Sequence, residues 1–316
     1  MTLILSEASW RFAIQVGDRL VTRATTRFNP IANKNVLYLA PDALVSFGYT
    51  GPAYLEGVPT DQWLVEKLTG VSYPRRDRLG ALRLGPLPSW RPLGITLQSL
   101  CGQLDTTLAQ DRGTQDMFFE LVGTGWQWER RRRPRPILFG IVRRPRAPTT
   151  ELWRAARHVG PNEFVFGATP DTNADLLNSR DLPDGLKRIR TIDEAEQLFV
   201  GGIRQVADQS CYVGRACMSV VLPPPQYRRV RIRYLALEFT EGTVRSSHQP
   251  TAEPSIGIAF SPWVVGPGTI WAPSILSGSW NLQLGDFDVR LEAPEPPPGS
   301  GMLGAASSVP RSPDPL

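Results

Sequence analysis

The chain has 316 residues, a formal net charge of +5 and a pI near 9.4, enough length for one large domain or two with a real core. No apolar run approaches the roughly eighteen residues of a membrane span, and no charged start leads into an apolar core with a cleavage site, so neither a membrane anchor nor a secretory leader is expected. Cys101, Cys211 and Cys217 form an odd, scattered set with neither a disulfide framework nor metal-ligand spacing, which fits a reduced, cytoplasmic setting.

The first fifty residues carry the chemistry. Removal of Met1, usual before a residue as small as threonine, would leave Thr2 with a hydroxyl nucleophile and a free α-amine. Such an amine titrates at about 7.7–8.0, so near neutral pH part of it can accept the hydroxyl proton. Leu3-Ile4-Leu5 reads as a short buried strand and Ser6-Glu7-Ala8-Ser9 as a turn. Trp10, Phe12, Ile14 and Val16 then alternate with Arg11, Ala13 and Gln15 as a second strand, which would return Gly17-Asp18 beside Thr2. A second hairpin runs from Asn33-Lys34 through Val36–Leu39, turns at Pro41-Asp42, and continues through Leu44–Phe47 to Gly48. Of the 35 basic residues only Lys34, Lys67 and Lys187 are lysines. A lysine here is therefore not background, and an ammonium shifts its pKa on burial as a guanidinium does not. Singly, these residues read as a solvated lysine and a turn aspartate. Together they read as nucleophile, base, cation and carboxylate.

Thr2, the run Gly17-Asp18-Arg19-Leu20-Val21-Thr22, then Asn33-Lys34 and Phe47-Gly48-Tyr49-Thr50-Gly51 resemble the opening of proteasome β subunits, in the style of the bacterial HslV-type protease whose chain also begins Met-Thr. Asp18 lies 16 residues beyond Thr2 and Lys34 another 16 beyond Asp18. The resemblance implies an N-terminal-nucleophile hydrolase. Thr2 would be the nucleophile, Lys34 would lower the pKa of its amine and hydroxyl, Asp18 would orient Lys34, and the Gly48 N–H would serve the oxyanion hole.

Farther along, Thr60 reads as the cap of a helix from Asp61 through Lys67 closed by Gly70, and residues 71–92 as loop. Leu93, Leu97, Leu100, Leu104 and Leu108 recur at helical spacing. Phe118–Val122 and Ile137–Val142 read as paired strands joined by the arginine-rich run Glu129 to Pro136. That run can grip phosphate, but its place between two strands favours a solvated hairpin tip over nucleic-acid binding. Trp126 and Trp128 read as the end of the strand, Glu151 to Arg157 as a short helix, and Phe164–Gly167 as a strand. In the resembled family a Gly-Ser-Gly-like turn follows that strand. Gly167-Ala168-Thr169-Pro170 stands here, leaving Thr169 as the substitute for the assisting serine. Thr191-Ile192-Asp193-Glu194 is a capping box opening a helix through Val206, with Gly201-Gly202 reading as a close helix contact. The loop to Gly214 resembles the one that binds a monovalent cation in HslV-type proteases. By position the carbonyls of Ala207, Ser210 and Val213 would supply it, although the aspartate and serine of proteasome β subunits are replaced by Ser210 and Val213. A strand from Ala216 to Leu222 follows, and Cys211 and Cys217 read as core packing.

Pro223-Pro224-Pro225 marks a boundary, with strand-like runs beyond it over 230–239, 255–260 and 281–291, and a Pro-, Ser- and Gly-rich tail from Pro294 that reads as disordered. His158 and His248 read as surface residues. The expected architecture is α+β: a four-layer αββα N-terminal-nucleophile sandwich over 2–222, a β-rich extension over 223–293, and a tail over 294–316. The expected activity is hydrolysis of an amide, above all a peptide bond, with no required cofactor beyond a monovalent cation such as Na+. The resemblance also implies a homo-oligomeric ring fed by an ATPase unfoldase, with a peptide or protein as substrate and neither membrane nor nucleic acid as partner. Two alternatives stand beside it: an inert proteasome-like subunit, and an amidohydrolase for a small molecule.

Overall fold

The computed structural model describes residues 2–23, 26–29, 32–72, 82–84, 90–110, 114, 116–128, 133–155, 159–160, 163–169, 181–225, 229–235, 259–260, 262–266, 269–271, 275–276, 279–284 and 289–292. The arginine run over 129–132, both histidines and the tail lie outside them.

The strands are β1 (Ile4–Ser9), β2 (Ala13–Asp18), β3 (Val21–Arg23), β4 (Thr26–Asn29), β5 (Asn35–Ala40), β6 (Ala43–Thr50), β7 (Tyr54–Leu55), β8 (Val58–Pro59) and β9 (Leu82–Leu84), with helix α1 (Thr60–Thr69) before β9. Helix α2 (Leu93–Gln110) precedes β10 (Phe119–Gln127), β11 (Arg135–Arg143), β12 (Glu151–Ala155) and β13 (Phe164–Thr169). Helices α3 (Asp181–Arg188) and α4 (Ile192–Gln209) lead to β14 (Cys217–Leu222) and β15 (Arg229–Leu235). The last strands are β16 (Ala259–Phe260), β17 (Trp263–Val265), β18 (Thr269–Trp271), β19 (Ile275–Leu276), β20 (Ser279–Leu284) and β21 (Val289–Glu292).

Two sheets hold most of these. One has the order β13-β1-β2-β14-β15-β20-β21, the other β12-β11-β10-β6-β5-β17-β18-β9. Alternation of side chains sorts their faces. Leu3, just before β1, and Leu5 of β1 with Ile14 and Val16 of β2 pack under α3 and α4, against Leu186, Phe199 and Ile203. Val45 and Phe47 of β6 with Val36 and Tyr38 of β5 pack under α1 and α2, against Trp63, Leu97 and Leu104. The opposite faces meet each other: Ala13, Met218 and Val220 of the first sheet lie with Leu37, Leu44 and Trp126 of the second, and Ile4 and Ala8 with Val122 and Leu138. The result is the expected α+β, four-layer αββα sandwich.

Several elements differ from the sequence reading for identifiable reasons. The predicted turn at Ser6–Ser9 is strand, and its two serines are satisfied inside: Gln15 Nε2 donates to Ser6 Oγ (3.2 Å), while Ser9 Oγ donates to the Phe12 carbonyl (2.9 Å) and closes the actual turn. Thr60 is the first helical residue rather than the cap, and its hydroxyl donates to the Pro52 carbonyl (2.7 Å). Gly70 does end α1 in the left-handed conformation. Part of the predicted loop over 71–92 is β9, which pairs with β18. Glu151–Ala155 is a strand on β11 rather than a helix, since Leu152 packs against the α1–α2 core. The capping box of α4 is present, but a side chain at Gly201 would meet open space, not a neighbouring helix. Of the strands beyond Pro225, β15, β20 and β21 widen the first sheet, β17 and β18 widen the second, and β16 and β19 pair in a two-stranded sheet of their own.

One buried carboxyl gives a pH test of this packing. Glu7, 1% exposed, shares by alternation the helix-side face of β1, and burial raises its pKa from 4.5 to about 7 against the opposing pull of Arg11 and Ser9. Between those pH values the folded chain keeps a proton that the unfolded chain has released, so stability falls as pH rises through the window. Glu7→Gln should therefore be more stable than wild type above pH 7, by about 3 kcal/mol if the whole shift is realised, and should lose that advantage below pH 4.5. Urea unfolding of both proteins across this range measures it.

Candidate active site

Asp18 closes β2, and its carboxylate gathers four segments. Oδ1 accepts the Leu3 N–H (2.8 Å), and Oδ2 accepts the N–H groups of Leu20 (2.9 Å) and Gly214 (3.0 Å). Oδ2 also accepts from Lys34 Nζ at 3.3 Å, and Lys34 in turn donates to the Leu20 carbonyl. The chain itself returns the favour, since the Asp18 N–H donates to the Leu3 carbonyl (3.1 Å). One carboxylate thus holds the amide next to Thr2 on one oxygen and the Lys34 ammonium on the other.

Lys34 is 3% exposed and Asp18 1%. Burial pushes the Lys34 pKa down, Asp18 pulls it back up, and the nearby Arg19 guanidinium lowers it further. Arg19 is itself fully buried, with its guanidinium over the Tyr234 ring (5.3 Å) and Nη1 toward Met218 Sδ (3.8 Å). Burial lowers its pKa to about 10, and Asp61 is among the charges that support it. At neutral pH it stays a cation.

Thr2 stands at the start of the face between the two sheets. Alternation puts Ile4, Ser6 and Ala8 between the sheets, and Thr2 shares their parity. Its backbone N–H donates to Thr50 Oγ1 (3.1 Å), on the β6 face that also carries Ser46 and Gly48. Thr169 ends β13 opposite Ile4, so it flanks the same strand start. Its hydroxyl is buried with no hydrogen-bond partner among the described residues.

Gly48 is a packing position first. A Cβ there would sit 2.9 Å from Ile4 Cδ1 and 3.0 Å from Gln15 Oε1. Because the Tyr49 N–H donates to the Lys34 carbonyl (3.3 Å), alternation turns the Gly48 N–H the other way, into the ladder opposite Val122. The oxyanion role expected of Gly48 therefore meets an amide already engaged. Gly51, one residue past the last pair of that ladder and at φ 129, is the glycine just beyond it, where a Cβ would meet the Phe118 carbonyl at 2.7 Å.

A satisfied polar cluster backs this corner. Gln15 Oε1 accepts from Asn35 Nδ2 (2.8 Å) and Ser46 Oγ (2.8 Å), and Gln15 Nε2 donates to Ser6 Oγ and the Val122 carbonyl (3.2 Å each). Reading sequence alone missed Gln15, Asn35, Ser46, Thr50, Arg19 and Asp61. Gln15 looked like the solvent side of a half-buried strand, whereas both faces of β2 are buried.

Ala207 lies in the last turn of α4, Ser210 caps its end, and Val213 is buried beside Gly214, the Asp18 donor. Carbonyls at a helix end lack intrahelical partners, so this segment carries oxygen donors of the kind a monovalent cation takes. Among the described residues no group of three or more His, Cys, Asp or Glu side chains could hold a metal. Cys217 is buried as expected; Cys211 is exposed, contrary to the core-packing reading.

No family model and no curated protein matches the chain. Among solved structures it is similar to a Gly-1 mutant of Anbu from Hyphomicrobium sp. strain MC1, at 12% identity over 75% of this chain and 88% of that one, with a TM-score of 0.49. It is also similar to Anbu from Yersinia bercovieri, described as an ancestral beta-subunit, at 11% identity over 70% and 81%, with a TM-score of 0.43. At those values the likeness carries no argument, and the fold stands on the layers and registers above. No helix of the described residues is long and apolar enough to cross a membrane.

The ion pair makes a stability prediction. Asp18→Asn leaves an unpaired buried ammonium and should cost about 3–5 kcal/mol. Asp18→Asn combined with Lys34→Met, which removes the cation, should recover a measurable part of that loss in a double-mutant cycle by chemical denaturation.

Proposed function

We propose that the protein is an N-terminal-nucleophile hydrolase that cleaves an amide, a peptide bond above all, through an acyl-enzyme on Thr2. The observation that carries the reading is the Asp18 carboxylate, which bonds the Leu3 N–H and the Lys34 ammonium at once. With Met1 removed, the Thr2 nitrogen becomes an amine able to take the proton from Oγ1 as that oxygen attacks the carbonyl. The Lys34 charge favours the deprotonated amine and the developing oxyanion, while Asp18 fixes its position. The Gly51 N–H, beyond the ladder, is the better oxyanion donor; Gly48 contributes the absence of a side chain. The unpartnered Thr169 hydroxyl is suited to orient the freed amine. Collapse of the tetrahedral intermediate expels the amine leaving group with the proton held on Thr2 nitrogen, and water then hydrolyses the ester.

The carbonyls of Ala207, Ser210 and Val213 would hold a monovalent cation such as Na+, whose charge would brace the loop behind Asp18. A homo-oligomeric ring served by an ATPase unfoldase belongs to the same proposal and rests on the resemblance alone. A small-molecule amide would meet the same chemistry.

An inert subunit is the second reading, favoured by one observation: with Met1 in place Thr2 is only 6% exposed. Intact mass after incubation with a β-lactone separates the two. The hydrolase reading expects a mature chain beginning at Thr2, one adduct on wild type and none on Thr2→Ala. Lys34→Ala should label at least about 100-fold more slowly, the scale of losing one electrostatic contributor. A retained Met1 with no adduct would instead support the inert subunit.

A further inference from the structure

The far C-terminal part of the chain reaches the turn that carries Lys34. β17 runs parallel to β5 with Trp263 opposite Val36, and Trp263 is 2% exposed. Its indole Nε1 donates to Asp61 Oδ2 at 3.0 Å. The same oxygen accepts from Asn33 Nδ2, also at 3.0 Å. Asn33 immediately precedes Lys34 and is fixed in two further ways: its carbonyl accepts from Tyr49 OH (3.1 Å), and its Oδ1 accepts from the Asn35 N–H (3.3 Å). Asp61, in the first turn of α1, is therefore the anchor of the 33–35 turn, and Trp263 is a donor to that anchor.

Charge points the same way. Four buried ionisable groups meet here, the cations Lys34 and Arg19 and the anions Asp18 and Asp61. Asp18 supports Lys34, and Asp61 supports Arg19, which Cys217 and Tyr234 also face. Asp61 further acts on the Tyr49 hydroxyl. As a set the four formal charges cancel. Neutralising Asp61 would leave one cation in excess, and Lys34, whose affinity for its proton is already weakened by burial and by Arg19, is the one able to shed it.

We propose that Asp61 and Trp263 are positioning residues for Lys34, so that a segment some two hundred residues away sets the place and charge of its ammonium. Only the catalytic consequence rests on the hydrolase reading; the coupling does not.

The chain's three lysines make the test direct. Protein labelled with [13Cε]lysine gives three resonances, with that of Lys34 assigned by Lys34→Arg. The expected result is a Lys34 titration midpoint lower by about one unit in Asp61→Asn, and shifted the same way by less in Trp263→Phe, which keeps the ring and removes the donor. Lys187 should not move, nor should Lys34 in Trp128→Phe, whose indole bonds the Pro41 carbonyl instead. If wild type also labels with the β-lactone, its pH–rate profile should shift with the Lys34 midpoint. An unchanged Lys34 midpoint in both variants overturns the proposal, even where labelling is normal. Wild type that never labels counts against the hydrolase, while the resonances still decide the coupling.

Discussion

The arrangement depends on the Asp18 carboxylate being buried without being alone. Taking a carboxylate and an ammonium out of water costs several kcal/mol apiece, and their mutual attraction repays this only when remaining lone pairs are also used. Here three backbone N–H groups join the lysine on the two oxygens. Each comes from a different stretch: the start of β1, the residues after β2, and the loop after α4. The ion pair thus ties these segments to one another, because all four donors converge on a single carboxylate.

The space between the sheets works by the same logic with neutral groups. Gln15 uses both ends of its amide, joining Ser6 of its own sheet to Asn35, Ser46 and Val122 of the other. An incomplete network in so dry a place would cost more than an apolar contact. Gly48 lets that network approach β6. The inter-sheet face near Thr2 is consequently well held, with Thr50 presented from a strand paired on both sides and Thr169 from an edge strand in register with β1.

How much of this was readable in the sequence follows from what kind of signal each part left. Helices α2 and α4 announced themselves through leucine spacing and a capping box. Thr2, Asp18 and Lys34 were singled out by the resemblance to proteasome β subunits, with rare lysine usage in support, and the chain brings the Asp18 carboxylate to both the Leu3 N–H and Lys34. The polar residues Ser6, Glu7 and Gln15 misled, since a strand covered on both faces breaks the rule that polar alternation marks solvent. The Gly48 role turns on something subtler: sequence gives the residue but not which way its amide points, and the hydrogen bond from the Tyr49 N–H to the Lys34 carbonyl bears on that. Asp61 and Trp263 left no local trace at all, because their meaning lies in a partner 202 positions apart.

That separation has a consequence for how the molecule is made. Asp61 leaves the ribosome 202 residues ahead of Trp263, the donor that bonds it. Contacts so distant close slowly. A nascent chain would therefore hold Asp18 and Lys34 well before the Asp61–Trp263 contact can form, and the 33–35 turn would gain that support only once residue 263 has been made.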